Sequence, residues 1–108
     1  IVQIESAAGV EAAGEIAAVD GVDALFVGPA DLAASLGHLG DSRHPQVQQA
    51  VDRVLAAARG SRKAAGIFAG SATEARDYAA RGFTVVALAA DVVWLLAGAR
   101  QALAAARG

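Results

Sequence analysis

Two carboxylates stand just beyond two apolar, strand-like runs near the start of the chain. Glu5 follows the run Ile1–Ile4, and Asp31 lies shortly after Val27, where the second run ends. Parallel sheets present their chemistry at the carboxyl ends of the strands, and neighbouring strands are only ~4.8 Å apart. Both carboxylates could therefore reach one ion, and hard oxygen ligands suit Mg²⁺ or Mn²⁺. Two simpler interpretations stay open: Glu5 as a favourable charge at a helix N-terminus, and Asp31 as a helix N-cap.

The segment between these carboxylates, Gly28-Pro29-Ala30, contributes backbone instead of reactive side chains. Gly28 allows a ligand to approach the main chain closely. The amides of Ala30 and Asp31 are expected to open a helical turn, where they could receive an anion such as a carboxylate. An ordinary strand-to-helix turn explains the same residues without a ligand.

Short apolar runs alternate with amphipathic segments along the whole chain. Strands are predicted at 1–4, 24–27, 64–69 and 84–89, and helices at 6–19, 31–36, 45–60, 71–82 and 91–107. Such alternation is typical of an α/β fold with a parallel sheet and right-handed crossovers. A closed (β/α)8 TIM barrel needs roughly 250 residues, so 108 residues allow two solutions. One is the C-terminal half of a barrel with about four parallel strands, forming a single partial domain over 1–108; the other is a small, open, doubly wound sheet.

Composition excludes several classes of function. The formal net charge of −2 gives no basis for nucleic-acid binding, and the absence of cysteine rules out disulfides and thiolate chemistry. Neither an apolar run of ~20 residues nor a basic leader is present, so we expect a cytoplasmic protein without a membrane partner. Because the first residue already lies in a strand-like run and is not Met, the chain is expected to be a piece of something longer.

Several segments together resemble the HpcH/HpaI family of pyruvate-dependent class II aldolases and citrate lyases. The specific ones are Gln3-Ile4-Glu5 and the run from Gly28 to Gly37, Gly-Pro-Ala-Asp-Leu-Ala-Ala-Ser-Leu-Gly. Weaker likeness continues through His44-Pro45-Gln46-Val47, Lys63-Ala64-Ala65-Gly66 and the segment from Gly82 to Asp91. The resemblance covers essentially all 108 residues.

The resemblance implies a metal-dependent lyase that cleaves or forms 4-hydroxy-2-oxo acids through a pyruvate enolate. Its small-molecule partners would be a 2-oxo acid, pyruvate, and an aldehyde, and the full-length protein would be a homo-oligomer. The cofactor would be Mg²⁺ or Mn²⁺, with Co²⁺ as a further option. By the same resemblance, the metal ligands would be Glu5 and Asp31, and the substrate-binding residues would be Gln3, Gly28, Pro29 and Ala30.

The family's catalytic histidine and arginine lie in its N-terminal half, which this sequence does not contain. His38 and His44 both follow the metal motif, so neither matches that histidine and no acid or base is assigned. The chain is therefore expected to supply the metal and pyruvate half of a site. Two alternatives remain open, a citrate-lyase-like enzyme acting on acyl-CoA thioesters and a catalytically inactive half-barrel that serves as a binding module or fragment.

The remaining candidate residues receive plainer interpretations. Lys63, the only lysine, precedes its strand at the face opposite the chemistry, which argues against a Schiff-base mechanism. Asp91 is interpreted as the N-cap of the last helix, and Trp94 as either a subunit contact or a core contact. An isolated half-barrel would leave two sheet edges and an apolar inner face uncovered, so the chain alone is expected to self-associate.

Overall fold

The computed structural model describes residues 1–108 and contains four strands and six helices. The strands are β1 (Val2–Ile4), β2 (Ala24–Val27), β3 (Ala64–Ala69) and β4 (Val85–Leu88). The helices are α1 (Ala7–Glu11), α2 (Ala13–Ala18), α3 (Pro29–Ser35), α4 (Pro45–Gly60), α5 (Ala72–Arg81) and α6 (Asp91–Arg107). The α/β alternation predicted from the sequence is confirmed.

All four strands are parallel and follow the order β1-β2-β3-β4. A doubly wound sheet reverses its strand order at a switch point, whereas consecutive strands of a TIM barrel are neighbours throughout. The observed order therefore favours four successive βα units of a barrel over the open, doubly wound alternative.

One face of this sheet and the helices that cover it form the core. Strand residues that are in register point to the same side, so Ile4, Val27 and Ile67 form one buried row. Helix α4 crosses this face, and its buried side chains recur at helical spacing: Val47, Ala50, Val51, Val54, Leu55 and Ala58. The amphipathic helix predicted over 45–60 is thereby confirmed.

The opposite face of the sheet carries no helix. Gln3, Phe26 and Gly66 are in register there, and Phe68 follows two residues later on β3. Phe68 is 36% exposed and Val85 is 41% exposed. In a closed barrel this face would be the interior, so its exposure is what four units out of eight should show.

Helix α6 projects from the body of the molecule and buries none of its residues. Its exposed side chains include Trp94, Leu95 and Leu103. The molecule measures 56 × 27 × 22 Å, and its radius of gyration of 15.9 Å exceeds the ~13 Å of a compact chain of this length. Of the two interpretations of Trp94, the core contact is wrong within this chain.

Three predicted helix boundaries differ from the structure. The single helix predicted over 6–19 is two helices that meet at Ala12, whose ψ of 1° interrupts the helical path. The helix predicted from Asp31 begins at Pro29, because proline's fixed φ suits the first helical position and Gly28 occupies the N-cap. Asp91 is not the N-cap of α6: Ala90 is, and Asp91 accepts a hydrogen bond from the neighbouring Val92 amide.

Candidate metal and substrate site

The carboxyl edge of β1 and β2 brings Glu5 beside Gly28. Ile4 and Val27 are register partners, and the amide of Gly28 donates to the carbonyl of Ile4 over 3.3 Å. The next residue on each strand, Glu5 and Gly28, therefore leaves the sheet side by side. This placement follows from the parallel register, which aligns the ends of neighbouring strands.

Gln3 holds Glu5 in position by a hydrogen bond, and the absence of a side chain at Gly28 leaves the space that both occupy. Gln3 and Glu5 alternate onto the same side of the chain, and Nε2 of Gln3 donates to Oε2 of Glu5 over 2.8 Å. A Cβ at Gly28 would stand 2.9 Å from Nε2 of Gln3 and 3.1 Å from Oε2 of Glu5. An added side chain would therefore displace the ends of Gln3 and Glu5, whereas the φ of −100° is open to any residue.

Asp31 is positioned by the short helix α3. It lies in the first turn and is exposed, while Leu32 and Ala33 are fully buried and anchor the helix on the core. The first hydrogen bond of this helix runs from the Leu32 amide to the Gly28 carbonyl over 3.0 Å. The amides of Ala30 and Asp31 precede it and have no helical acceptor, as helix geometry requires.

Most of the candidate site residues line one cavity of about 250 Å³. Its walls are Gln3, Gly28, Pro29, Ala30, Asp31 and Phe68. Glu5 is absent from the wall itself and borders the cavity through its hydrogen bond with Gln3. The structure therefore gathers the predicted substrate-binding residues and Asp31 around one space, with the Glu5 carboxylate at its margin.

The donor set fits a hard divalent cation that retains other ligands. The structure contains no group of three or more His, Cys, Asp or Glu side chains arranged to hold a metal. Mg²⁺ is commonly bound through one or two carboxylates while water and substrate oxygens complete its shell. Two carboxylates at one sheet edge match that chemistry better than the closed, four-ligand site of a structural Zn²⁺.

Phe68 is a wall residue that the sequence analysis did not single out. It lies two residues beyond Gly66, which is in register with Phe26 and, through Phe26, with Gln3. Strand alternation alone places Phe68 on the same face of β3 as Gly66. Relating that face to Gln3 required the register between strands, which the sequence of a single strand does not reveal.

A second group that the sequence analysis missed lies beside the cavity. Glu74 lies in the first turn of α5, where the Ser71 hydroxyl accepts from the Glu74 amide over 3.2 Å. The Glu74 carboxylate accepts from the Gly70 amide over 2.8 Å and from Nε of Arg43 over 3.1 Å. Arg43 and Glu74 thus tie the loop after α3 to the turn after β3.

The two histidines lie away from the carboxylates and act structurally. Nδ1 of His44 accepts from the Gln46 amide over 3.2 Å, which caps α4. His38 stacks on His44 with ring centroids 3.4 Å apart, and its Nε2 donates to Oε1 of Gln46 over 2.6 Å. His44 therefore caps its helix, and the stacking contact leaves His38 partly buried.

Lys63 immediately precedes β3, at the amino end of the strand and far along the sheet from Gly28. The carboxylates lie at the opposite, carboxyl edge of the sheet. No helix of the chain combines the length and apolarity that crossing a bilayer demands.

The chain is similar in sequence to one protein family over most of its length. The family model for HpcH/HpaI aldolase/citrate lyase matches residues 1–97. A hydroxypyruvate/pyruvate aldolase of Paraburkholderia phytofirmans is 58% identical over 103 residues, covering 95% of this chain and 40% of the relative.

Solved structures agree with the sequence relatives. A HpcH/HpaI aldolase/citrate lyase family protein of Burkholderia cenocepacia J2315 is 57% identical with a TM-score of 0.94, over 99% of this chain and 42% of that one. A citrate lyase beta subunit of M. tuberculosis, complexed with oxaloacetate and magnesium, is 30% identical with a TM-score of 0.70. The match covers 83% of this chain and 46% of that one. The chain spans about two fifths of the length of the aldolase relatives. By sequence and by fold, the chain belongs to the HpcH/HpaI aldolase/citrate lyase family.

Proposed function

We propose that this chain supplies the metal-binding and pyruvate-binding part of a class II aldolase that cleaves or forms 4-hydroxy-2-oxo acids. The observation that carries the proposal is the cavity that joins Gln3, the Gly28–Ala30 turn and Asp31, with Glu5 hydrogen-bonded at its margin. Two comparisons support the proposal: the chain belongs to the HpcH/HpaI aldolase/citrate lyase family, and one relative is named hydroxypyruvate/pyruvate aldolase.

Glu5 and Asp31 are the residues that would hold the cation. A bound divalent ion would supply Lewis-acid stabilisation of the negative charge that develops on a 2-oxo acid. Oε2 of Glu5 is engaged by Gln3, which leaves Oε1 without that partner and orients the carboxylate. Mg²⁺ and Mn²⁺ both suit two carboxylates plus substrate oxygens, and Co²⁺ is a further option.

The remaining wall residues would bind and orient the oxo acid. The Ala30 amide, in the first turn of α3, can donate to a substrate carboxylate. Gln3 retains a second amide hydrogen after its bond to Glu5 and can donate it to a substrate oxygen. Pro29 is buried and fixes the turn, and Gly28 leaves room for the ligand. The proton-transfer groups of the reaction are not among these residues.

A metal-binding experiment tests the proposal directly. Mn²⁺ binding to the 108-residue chain, followed by electron paramagnetic resonance, should be saturable, and Mg²⁺ should raise the Tm. The double variant Glu5→Gln plus Asp31→Asn should lose both effects. Glu15→Gln plus Asp20→Asn removes two exposed carboxylates elsewhere and is the matched control. Equal Mn²⁺ affinity in the two double variants would refute the assignment.

The citrate-lyase-like alternative is favoured by one observation, the similarity to the citrate lyase beta subunit that was solved with oxaloacetate and magnesium. Deuterium exchange at the pyruvate methyl group, compared with cleavage of a CoA thioester, separates the two reactions. These assays belong on the protein that joins this chain to the remainder of a barrel. Metal binding with neither reaction would support a non-catalytic binding module instead.

A further inference from the structure

A second cavity of about 130 Å³ adjoins the one that Asp31 lines. The two share three wall residues, Pro29, Ala30 and Phe68. The second cavity continues between the loop at Ser42 and the turn at Gly70. The two spaces are therefore neighbours, and we refer to them together as the cleft, with the candidate metal site at one end.

The far end of this cleft is lined by Tyr78, whose side chain is otherwise buried at 2% exposure. The Tyr78 oxygen accepts a long hydrogen bond of 3.4 Å from Nε2 of Gln48, so its hydroxyl hydrogen remains available to another acceptor. The ring is held by an edge-on contact with Phe83 and by the Arg81 guanidinium, 5.1 Å from its centroid. The ring is thus held in place, and buried tyrosine hydroxyls usually find a partner for their hydrogen.

The charge around this end favours a neutral ligand group. Glu74 is in the wall, but its carboxylate is already engaged by the Gly70 amide and by Arg43. Ser42 adds a hydroxyl. The wall itself carries no cationic side chain, and the two nearby arginines are already paired, Arg43 with Glu74 and Arg81 with Asp52. A second carboxylate on a ligand would therefore find no free positive group here.

We propose that the Tyr78 end of the cleft is a specificity subsite, in which the Tyr78 hydroxyl donates a hydrogen bond to a neutral oxygen substituent of the acceptor aldehyde. This inference rests on the proposed aldolase function and adds a residue that selects among aldehydes. A short aldehyde with a hydroxyl group beside its carbonyl would satisfy Tyr78. An alkyl group would leave the tyrosine donor unpaired, and a carboxylate would face Glu74.

Tyr78 is the only tyrosine in the chain, which makes it a site-specific probe. With tyrosine labelled by ¹³C at the ring carbon that bears oxygen, the chain gives one resonance sensitive to hydrogen bonding at the hydroxyl. Freshly dissolved glycolaldehyde should shift it saturably. Propanal and glyoxylate, of similar size, should bind at least about fivefold more weakly, which is the factor that a net hydrogen bond of ~1 kcal/mol supplies.

Two variants complete the experiment. Tyr78→Phe keeps the ring and removes the hydroxyl, so the preference for glycolaldehyde over propanal should vanish when binding is followed from the ligand signals. Thr84→Val removes a hydroxyl beyond the amino end of β4 and should leave the preference intact. Equal affinity for the three aldehydes, or no saturable shift because water alone fills the cavity, would overturn the proposal.

Failure of the Tyr78 subsite can be told apart from failure of the metal site. In the double variant Glu5→Gln plus Asp31→Asn, the Tyr78 resonance should still respond to glycolaldehyde, because neither residue lines the second cavity. If Mn²⁺ fails to bind the unaltered chain while this response persists, the proposed function fails, although the hydrogen bond from Tyr78 to the ligand stands. If Mn²⁺ binds but the response is absent, the subsite fails alone.

Discussion

The carboxamide of Gln3 donates a hydrogen bond to the carboxylate of Glu5 over 2.8 Å, in the space left by the absent side chain of Gly28. Strand alternation places the two side chains on one face, and the register of β1 with β2 brings the glycine against them. A charge-assisted bond of this kind fixes the direction of the carboxylate more firmly than a neutral bond would. The direction of the candidate metal ligand Glu5 therefore depends on space left by a glycine that contributes no ligand atom.

Gly28→Ala should weaken cation binding without unfolding the chain. The new Cβ would lie 2.9 Å from Nε2 of Gln3 and 3.1 Å from Oε2 of Glu5, so the hydrogen-bonded ends of both side chains must shift. We expect Mn²⁺ affinity to fall by about tenfold, a typical loss when a group that supports a metal ligand is altered. Gly14→Ala is the matched control, because its Cβ would meet no atom within 4 Å and it lies in a helix. Unchanged affinity in Gly28→Ala would contradict the steric account.

Leu32→Ala should destabilise the fold by about 2–5 kcal/mol, the usual cost of truncating a buried leucine. Leu32 is fully buried in α3 and ties the helix that carries Asp31 to the core. Leu103→Ala, in the exposed helix α6, provides the comparison, since that side chain is 55% exposed. Urea unfolding of the two variants measures the difference, and equal losses would show that α3 is not anchored through Leu32.

The uncovered face of the sheet should drive self-association of the isolated chain. Phe26, Phe68 and Val85 all lie on that face, where an entire barrel would bury them. Light scattering should detect oligomers whose population falls in Phe68→Ser. Leu39→Ser is the control, because Leu39 is 86% exposed and lies in a loop. A monodisperse monomer at high concentration would contradict this expectation.

The surface pair of Glu11 and Arg53 predicts a small dependence of stability on pH. The hydrogen bond from Arg53, over 2.8 Å, and then its positive charge lower the pKa of the Glu11 carboxyl from its ordinary 4.5. A group with a lowered pKa stabilises the fold above its unfolded value and loses that contribution as pH falls through the folded value.

Glu11→Gln should therefore lower the Tm slightly at pH 7, and the difference should disappear on acidification well below 4.5. Both side chains are exposed, so added salt should shrink the effect as well. Thermal melts across pH measure it, with Glu15→Gln as a control outside this pair. A difference that grows at low pH would have the wrong sign.

The order of elements could be predicted from local patterns because local physics dictates it. Apolar runs bounded by glycine and the helical spacing of Val47, Val51 and Val54 depend only on neighbouring residues. The Ser71 cap and the left-handed Gly82 at the end of α5 were predictable for the same reason. The boundary errors at Ala12, Pro29 and Asp91 are each a matter of a few residues, where competing caps differ little in energy.

The sequence by itself determined the α/β alternation, the carboxylates and, through resemblance, the family, because these are carried by residue types and short spacings. Only the tertiary structure decided the consecutive strand order, the contact of Gly28 with Gln3 and Glu5, and the meeting of Phe68, Ser42 and Tyr78 along one cleft. Those relationships join residues far apart in the chain. They depend on sheet register and helix packing, which are settled by the burial of the whole core and not by any local segment.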